Sequence, residues 1–249
     1  MSGHSKWATI KRKKAATDQA RGKLFSKFIK EVTIAARHGG GDVEANPRLR
    51  AAIAAAKSVN MPAANIERAV KRGTGEIEGV NYEEAHYEGY AVGGVALLVE
   101  VATDNRNRTA GDIRHIFTKY GGALGEAGSV AYLFKPHGVV LIDKTAVPED
   151  ALIEIVLEAG ADDVTPEGDT FEVLTPPAAL EAVKEALAAK GVPVQSAEVT
   201  KLASLQVPVS AKDAEAILRL IDALEEHDDV QKVYANFNVP DEVLARLSR

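Results

Sequence analysis

Residues 139–199 read VVLIDKTAVPEDALIEIVLEAGADDVTPEGDTFEVLTPPAALEAVKEALAAKGVPVQSAEV, and this stretch decides the fold. A strand at Val139–Ile142 leads into a helix over Pro148–Ala159. Two short strands follow, near Asp163–Val164 and Thr170–Leu174, then a helix over Pro176–Lys190 and a strand at Val194–Val199. That order is β-α-β-β-α-β, the split βαβ or ferredoxin-like arrangement.

Working outward, the flanks spell the same order if 95–134 joins 205–237. Upstream lie a strand at Val95–Val101, a loop at Thr103–Arg108, a helix carrying Ile113, Ile116 and Phe117, and a strand at Ser129–Phe134. Downstream lie a strand at Leu205–Val209, a helix over Ala211–Glu226 and a strand at Val230–Phe237. The last helix is well specified. Ser210 is its cap, and Ala214, Ile217, Leu218, Ile221 and Leu224 recur at helical spacing. The expectation is two ferredoxin-like domains, one inserted into the other.

The first 79 residues are different in kind. From about Asp18 to Arg37, Phe25, Phe28, Ile29, Val32 and Ala36 form one helical face. Lys23, Lys27, Lys30 and Arg37 form a second stripe, expected to point outward, and Gly39-Gly40-Gly41 ends the helix. A second helix is expected near Arg48–Val59, with Leu49, Ile53 and Ala56 inward. A third starts at Pro62, buries Ile66, Ala69 and Val70, and stops at Gly73. Three helices suffice for a small bundle, and GTGEIEG (73–79) reads as a linker.

Charge divides at that linker. The net charge of −6 hides 16 Lys and Arg against 5 Asp and Glu in residues 1–72, and 14 against 31 in residues 73–249. A polyanion partner for one end is the natural implication, despite the acidic whole. Between Lys6 and Lys30 there are nine basic residues and one acidic, Asp18. The tightest cluster is Lys11-Arg12-Lys13-Lys14, and Arg21 adds to the same arm. Cations in this density displace the counterions condensed on a nucleic-acid backbone. Trp7 offers a ring for stacking, though pinning the arm to the bundle is the better-supported role. Arg106 and Arg108, in TDNRNRT (103–109), would sit beside a helix N-terminus with Thr109 as cap; an anion site and a plain polar turn both fit.

Other chemistry is thin. The chain has no cysteine, which removes disulfides, thiolate metal sites and a Cys nucleophile. Its six histidines show no metal-ligand spacing, so no metal is expected. GTGEIEG follows a helix and GGALGEAGS (121–129) precedes a strand, the wrong contexts for a dinucleotide fingerprint. Carboxylates such as Glu181, Glu185 and the turn Asp228-Asp229 read as solvated surface, with no paired acid and base. No catalytic residue and no cofactor are expected. Tyr132 and Phe134 share a face of the expected strand, and core packing is the reading for both. The start, MSGHSKWATIKRKK, is charged and leads into no apolar run of signal-peptide length, so a cytoplasmic protein is expected.

GHSKWATIKRKKAATDQARGKLFSKFIKEV, NPRLRAAIAAAKSVNMPAANIERAVKRG, YEGYAVGGVALLVEVATDNRNRT and GGALGEAGSVAYLF resemble the YebC family, also called PmpR. The similarity is dense from residue 2 to about 135 and thinner, but collinear, to about 238. The resemblance implies a helical domain and two α/β domains: 1–79, then 80–136 with 203–240, and an inserted 137–202. It also implies a non-enzymatic DNA-binding transcriptional regulator. The alternative is a ribosome-associated translation factor, since a mitochondrial relative activates translation and members are linked to stalling on proline-rich stretches. Nucleic acid, DNA or ribosomal RNA, is the expected partner; no membrane and no small-molecule substrate are expected. An adaptor with an acidic docking surface on 139–229 is a third reading. The candidate phosphate contacts are Lys6, Trp7, Lys11, Arg12, Lys13, Lys14, Arg21, Lys23, Lys27, Lys30, Arg106 and Arg108.

Overall fold

The computed structural model describes residues 18–238, with side chains from Gly22 onward. Three N-terminal helices are followed by two four-stranded antiparallel sheets with helices, a mixed α+β fold. Two compact units divide the described residues: 130–214 with 234–238, and 18–129 with 215–233.

The first unit contains β4 (Phe134–Asp143), α5 (Glu149–Glu158), β5 (Asp163–Glu167), β6 (Thr170–Thr175), α6 (Leu180–Ala189) and β7 (Ser196–Ala203). The sheet runs β5-β6-β4-β7, as the split βαβ order requires. Strand alternation explains its core. Val140 and Ile142 on β4 and Phe171 and Val173 on β6 cluster with Leu152 and Val156 of α5 and with Val183 and Leu187 of α6. Each such side chain contributes about 1.5–3 kcal/mol on leaving water.

Two expectations here need correction. The segments read as strands 129–134 and 139–142 differ: residues Ala131–Leu133 form a 3₁₀ turn, and the strand that follows is the single ten-residue β4. Pro136 and Gly138 had obscured its first half. Consequently Tyr132 and Phe134 do not share a face. Phe134 is buried beside Tyr234, with ring centroids 6.3 Å apart, whereas Tyr132 is 71% exposed.

The second unit holds the helices α1 (Asp18–Gly39), α2 (Pro47–Ser58) and α3 (Ala63–Thr74). Val32, Ala35 and Ala36 of α1 pack with Leu49, Ala52 and Ala69, and Phe25, Phe28 and Ile29 lie against Ala56, Met61 and Ile66. Asn46 fixes the α1–α2 corner. Its Oδ1 accepts from the Leu49 N–H at 3.0 Å, and its Nδ2 donates to the Ala35 and Gly40 carbonyls at 2.9 and 2.8 Å. Gly73 does not stop α3. It is buried within the helix, where a Cβ would meet the Thr33 carbonyl and Ala36, so glycine there permits α3 to cross α1 closely. The left-handed residue that ends α3 is Gly75, at φ 82°.

The same unit carries β1 (Glu83–Tyr90), β2 (Ala96–Thr103), α4 (Arg106–Lys119) and β3 (Ala123–Leu124), with α7 (Ala211–Glu225) and β8 (Val230–Ala235) completing the sheet, which runs β3-β1-β2-β8. The expected strand at 205–209 is absent; Val207 makes only an isolated bridge to Phe237. Its place in the sheet order is filled from upstream, by β1. EEAHYEGY has no β-branched residue and three glutamates, and its two tyrosines alone are weak notice of a central strand. Its register against β2, from Glu83 opposite Thr103 to Tyr90 opposite Ala96, supplies the order instead.

Candidate nucleic-acid interface

On α1, Lys23, Lys27 and Lys30 fall at i, i+4 and i+7 and so share one face. That face is not open to solvent along its length: Lys23 and Lys27 are half-buried and Lys30 is buried. Lys23 Nζ donates to the Glu226 carbonyl at 3.2 Å, and Lys27 Nζ to the Glu225 carbonyl at 2.9 Å. Lys30 Nζ donates to the carbonyls of Asp228 (2.9 Å) and Ala102 (3.2 Å) and to Asp229 Oδ1 (2.7 Å), and the residue is 8% exposed. The reason lies in α7. A helix leaves its last carbonyls without intrahelical partners, and its C-terminal end favours cations. The lysine stripe meets that end and the loop after it. Arg37, the fourth member, is likewise held, by Asn81 and the Tyr82 carbonyl. The expected outward stripe is therefore corrected to an internal clamp.

Asp229 is the centre of this arrangement. Its Oδ1 accepts from Lys30; its Oδ2 accepts from Thr109 Oγ1 at 2.7 Å, Arg108 at 2.8 Å and Thr103 Oγ1 at 3.1 Å. Burial would push this carboxyl upward, but the hydrogen bonds from Lys30, Arg108 and Thr109 outweigh it and hold the group well below the usual carboxylate range. The sequence reading of Asp229 as a solvated turn residue is overturned: it is 4% exposed. Nothing local marks it, because its partners lie over a hundred residues away in the chain. Its neighbour His227 accepts the Asp229 N–H at Nδ1 (3.1 Å), and its Nε2 faces Asp112 at 3.2 Å.

Arg106 and Arg108 part company. Both sit in the first turn of α4 rather than on a loop, and the cap is Asn105, whose Oδ1 accepts from the Arg108 N–H at 3.1 Å. Thr109, expected as the cap, is buried against Asp229. Arg108 is engaged by Asp104 at 2.7 Å and Asp229 at 2.8 Å, contacts that raise its pKa further and fix its charge. Arg106 is exposed and forms no ion pair among the described residues. Lys6, Trp7, Lys11, Arg12, Lys13 and Lys14 lie outside the described residues, and so does the side chain of Arg21.

A cleft of about 770 Å³ opens beside the clamp, lined by Lys23, Lys30, Tyr82, Asp112, His227 and Asp229 among others. Its walls mix both signs of charge, and Lys23 and Lys30 are already hydrogen-bonded, so it is a poor anion site. Exposed cations without an ion pair among the described residues include Lys57 on α2, Arg68 on α3, and Arg106, Arg114 and Lys119 on α4. No helix among the described residues is long and apolar enough to cross a membrane. No group of three or more His, Asp or Glu among them could hold a metal ion.

A basic three-helix module followed by two four-stranded antiparallel sheets with helices, its basic charge gathered in the first 72 residues, defines a mixed α+β class of protein. The comparisons give the family. A family model described as the TACO1/YebC protein N-terminal domain matches residues 5–76, and one described as the TACO1/YebC second and third domain matches residues 82–237. The chain belongs to the TACO1/YebC family. A relative from Dictyoglomus turgidum is 59% identical over 249 residues, covering 100% of both chains, and one from Desulforapulum autotrophicum is 56% identical over 243 residues, covering 98% of both. Each is named a "probable transcriptional regulatory protein". Among solved structures, a conserved hypothetical protein from Aquifex aeolicus matches with a TM-score of 0.81 at 49% identity, covering 91% of this chain and 94% of that one.

Proposed function

We propose that this chain is a non-enzymatic, nucleic-acid-binding regulator of gene expression that acts in the cytoplasm on DNA. The observation that carries the reading is the segregation of charge, 16 basic against 5 acidic residues in positions 1–72 of an otherwise acidic chain. The relatives' names support a regulatory role, and they align with this chain from end to end. Residues 1–79 would anchor the protein, with Lys6, Lys11, Arg12, Lys13, Lys14 and Arg21 on phosphates and Trp7 pinning the arm. The α/β domains, 80–136 with 203–240 and the inserted 137–202, would present further contacts, among them Arg106. Lys30 is withdrawn from the phosphate set, and Lys23, Lys27 and Arg108 serve chiefly to hold the platform together. Phosphate contacts position a protein without reading bases, so the same charge would also serve on ribosomal RNA in a translation factor.

The test is fluorescence anisotropy of the full chain with a labelled DNA duplex and a ribosomal RNA fragment, from 50 to 200 mM salt. Duplex binding that weakens linearly in log salt is expected. Changing Lys11, Arg12, Lys13 and Lys14 together to Ala should reduce that slope by about 3–4, at roughly 0.9 per phosphate contact. No duplex binding at low salt would refute the reading, and a strong preference for the RNA would move the protein to translation.

A further inference from the structure

Helix α4 buries Thr109, Ile113 and Phe117 along one side. At 3.6 residues per turn the opposite crest carries Asn107, Gly111, His115 and Thr118, all exposed. Gly111 has no internal reason to be glycine. Its φ is not positive, and a Cβ built on it meets nothing within 4 Å. Glycine is among the worst residues for an exposed helix interior, so the position gives up helix stability for no contact inside the chain. Glycine is of use there to something that approaches the helix backbone from outside.

The charge around the crest says what that is. Arg114 and Lys119 flank it, both exposed and without an ion pair among the described residues; Lys119 lies only over its neighbour Tyr120, 5.6 Å from the ring centroid. Arg106, at the start of the helix, lies by the same spacing on the side of Thr109, Ile113 and Phe117 and is not part of the crest. The nearby acids are already engaged: Asp112 with His227, and Asp104 with Arg108. Two available cations thus flank the crest, about 8 Å apart along the axis at 1.5 Å per residue. The one carboxylate of α4, Asp112, is hydrogen-bonded to His227.

We propose that the exposed crest of α4 is a docking surface for the sugar–phosphate backbone of duplex DNA. Arg114 and Lys119 pair with phosphates, and Gly111 admits the strand against the helix. This rests on the nucleic-acid reading above and adds a second contact surface to the N-terminal arm. Neither residue motif nor charge run announces it in the sequence, because the crest emerges only once α4 is folded and its acids are paired.

The experiment compares Gly111→Gln, the double variant Arg114→Ala with Lys119→Ala, and Lys184→Ala with Lys190→Ala on and just after α6 as a charge-matched control, against the unaltered full chain. Readouts are duplex affinity across a salt series and the thermal melt. The glutamine improves helix propensity and has open space, so its Tm should hold or rise by about 2–4 °C. Its duplex affinity should nevertheless fall at least tenfold. The double variant should lower the salt slope by about 2, and the control should bind like the unaltered chain. If the unaltered chain binds duplex and both α4 variants match it, the docking surface is refuted and the wider reading stands. If the unaltered chain fails to bind at 50 mM salt, the nucleic-acid reading itself falls, and the surface with it.

Discussion

Replacing Asp229 by Asn probes the clamp that unites the lysine stripe with α4 and α7. The substitution keeps the shape but removes the charge from a carboxylate whose side chain is 6% exposed, opposite a Lys30 side chain that is 11% exposed. Breaking one side of a buried ion pair costs about 3–5 kcal/mol, because the remaining charge is left without compensation. Lys30 keeps the Ala102 and Asp228 carbonyls, and Arg108 keeps Asp104, so the lower end applies. The expected loss is about 3 kcal/mol, a fall in Tm of about 6–12 °C for a chain of this size. pH adds a sign. The folded carboxyl titrates below its unfolded value of about 3.9, so its contribution is complete above that value and is lost as pH falls through the folded one. Asp229→Asn should therefore flatten the acid limb of a stability-versus-pH curve while leaving its neutral slope alone. Urea titrations across pH 3–7, with Lys30→Met completing a double-mutant cycle, supply the measurement. A cost below about 0.5 kcal/mol, or no coupling between the two sites, would refute the clamp and return Lys30 to the phosphate-binding set.

Asn46→Ala removes a cap acceptor and two buried donors at the α1–α2 corner, and should cost about 2–3 kcal/mol by urea titration; Asn46→Asp should recover only the cap. Gly73→Ala should destabilise by about 1–3 kcal/mol, despite alanine's better helix propensity, because the methyl meets the Thr33 carbonyl and Ala36. A stabilised Gly73→Ala would show that α3 does not cross α1 so closely. Arg48, which bridges Glu31 and Glu84 with a side chain 40% exposed, should cost no more than about 1 kcal/mol on change to Ala, and less in high salt.

The inserted sheet was legible because its signals are local. Apolar strand runs such as VVLI, prolines ahead of helices and the turn at Glu167–Thr170 all act within a few residues. The outer sheet was harder. Its interior strand β1 is recognised by pairing with β2, and EEAHYEGY carries only Tyr87 and Tyr90 among the residues that favour strands, against three glutamates and a glycine. The stripe of Lys23, Lys27 and Lys30 was read correctly as one face and wrongly as an outward one. Spacing fixes which residues share a face, but what covers that face depends on Glu225–Asp229, some two hundred residues downstream. Asp229 was missed for the same reason. Arg106 and Arg108 are two positions apart on one helix and both exposed, yet only Arg108 is held, by Asp104 nearby and by Asp229 far down the chain.

The central claim, that this family member works on DNA, is tested most directly by sedimenting cell lysate with and without DNase and following the protein through the gradient. The account expects the protein to leave the heavy fractions when DNA is digested, with the ribosome peaks intact. Protein that stays with the ribosomes after DNase treatment would contradict it.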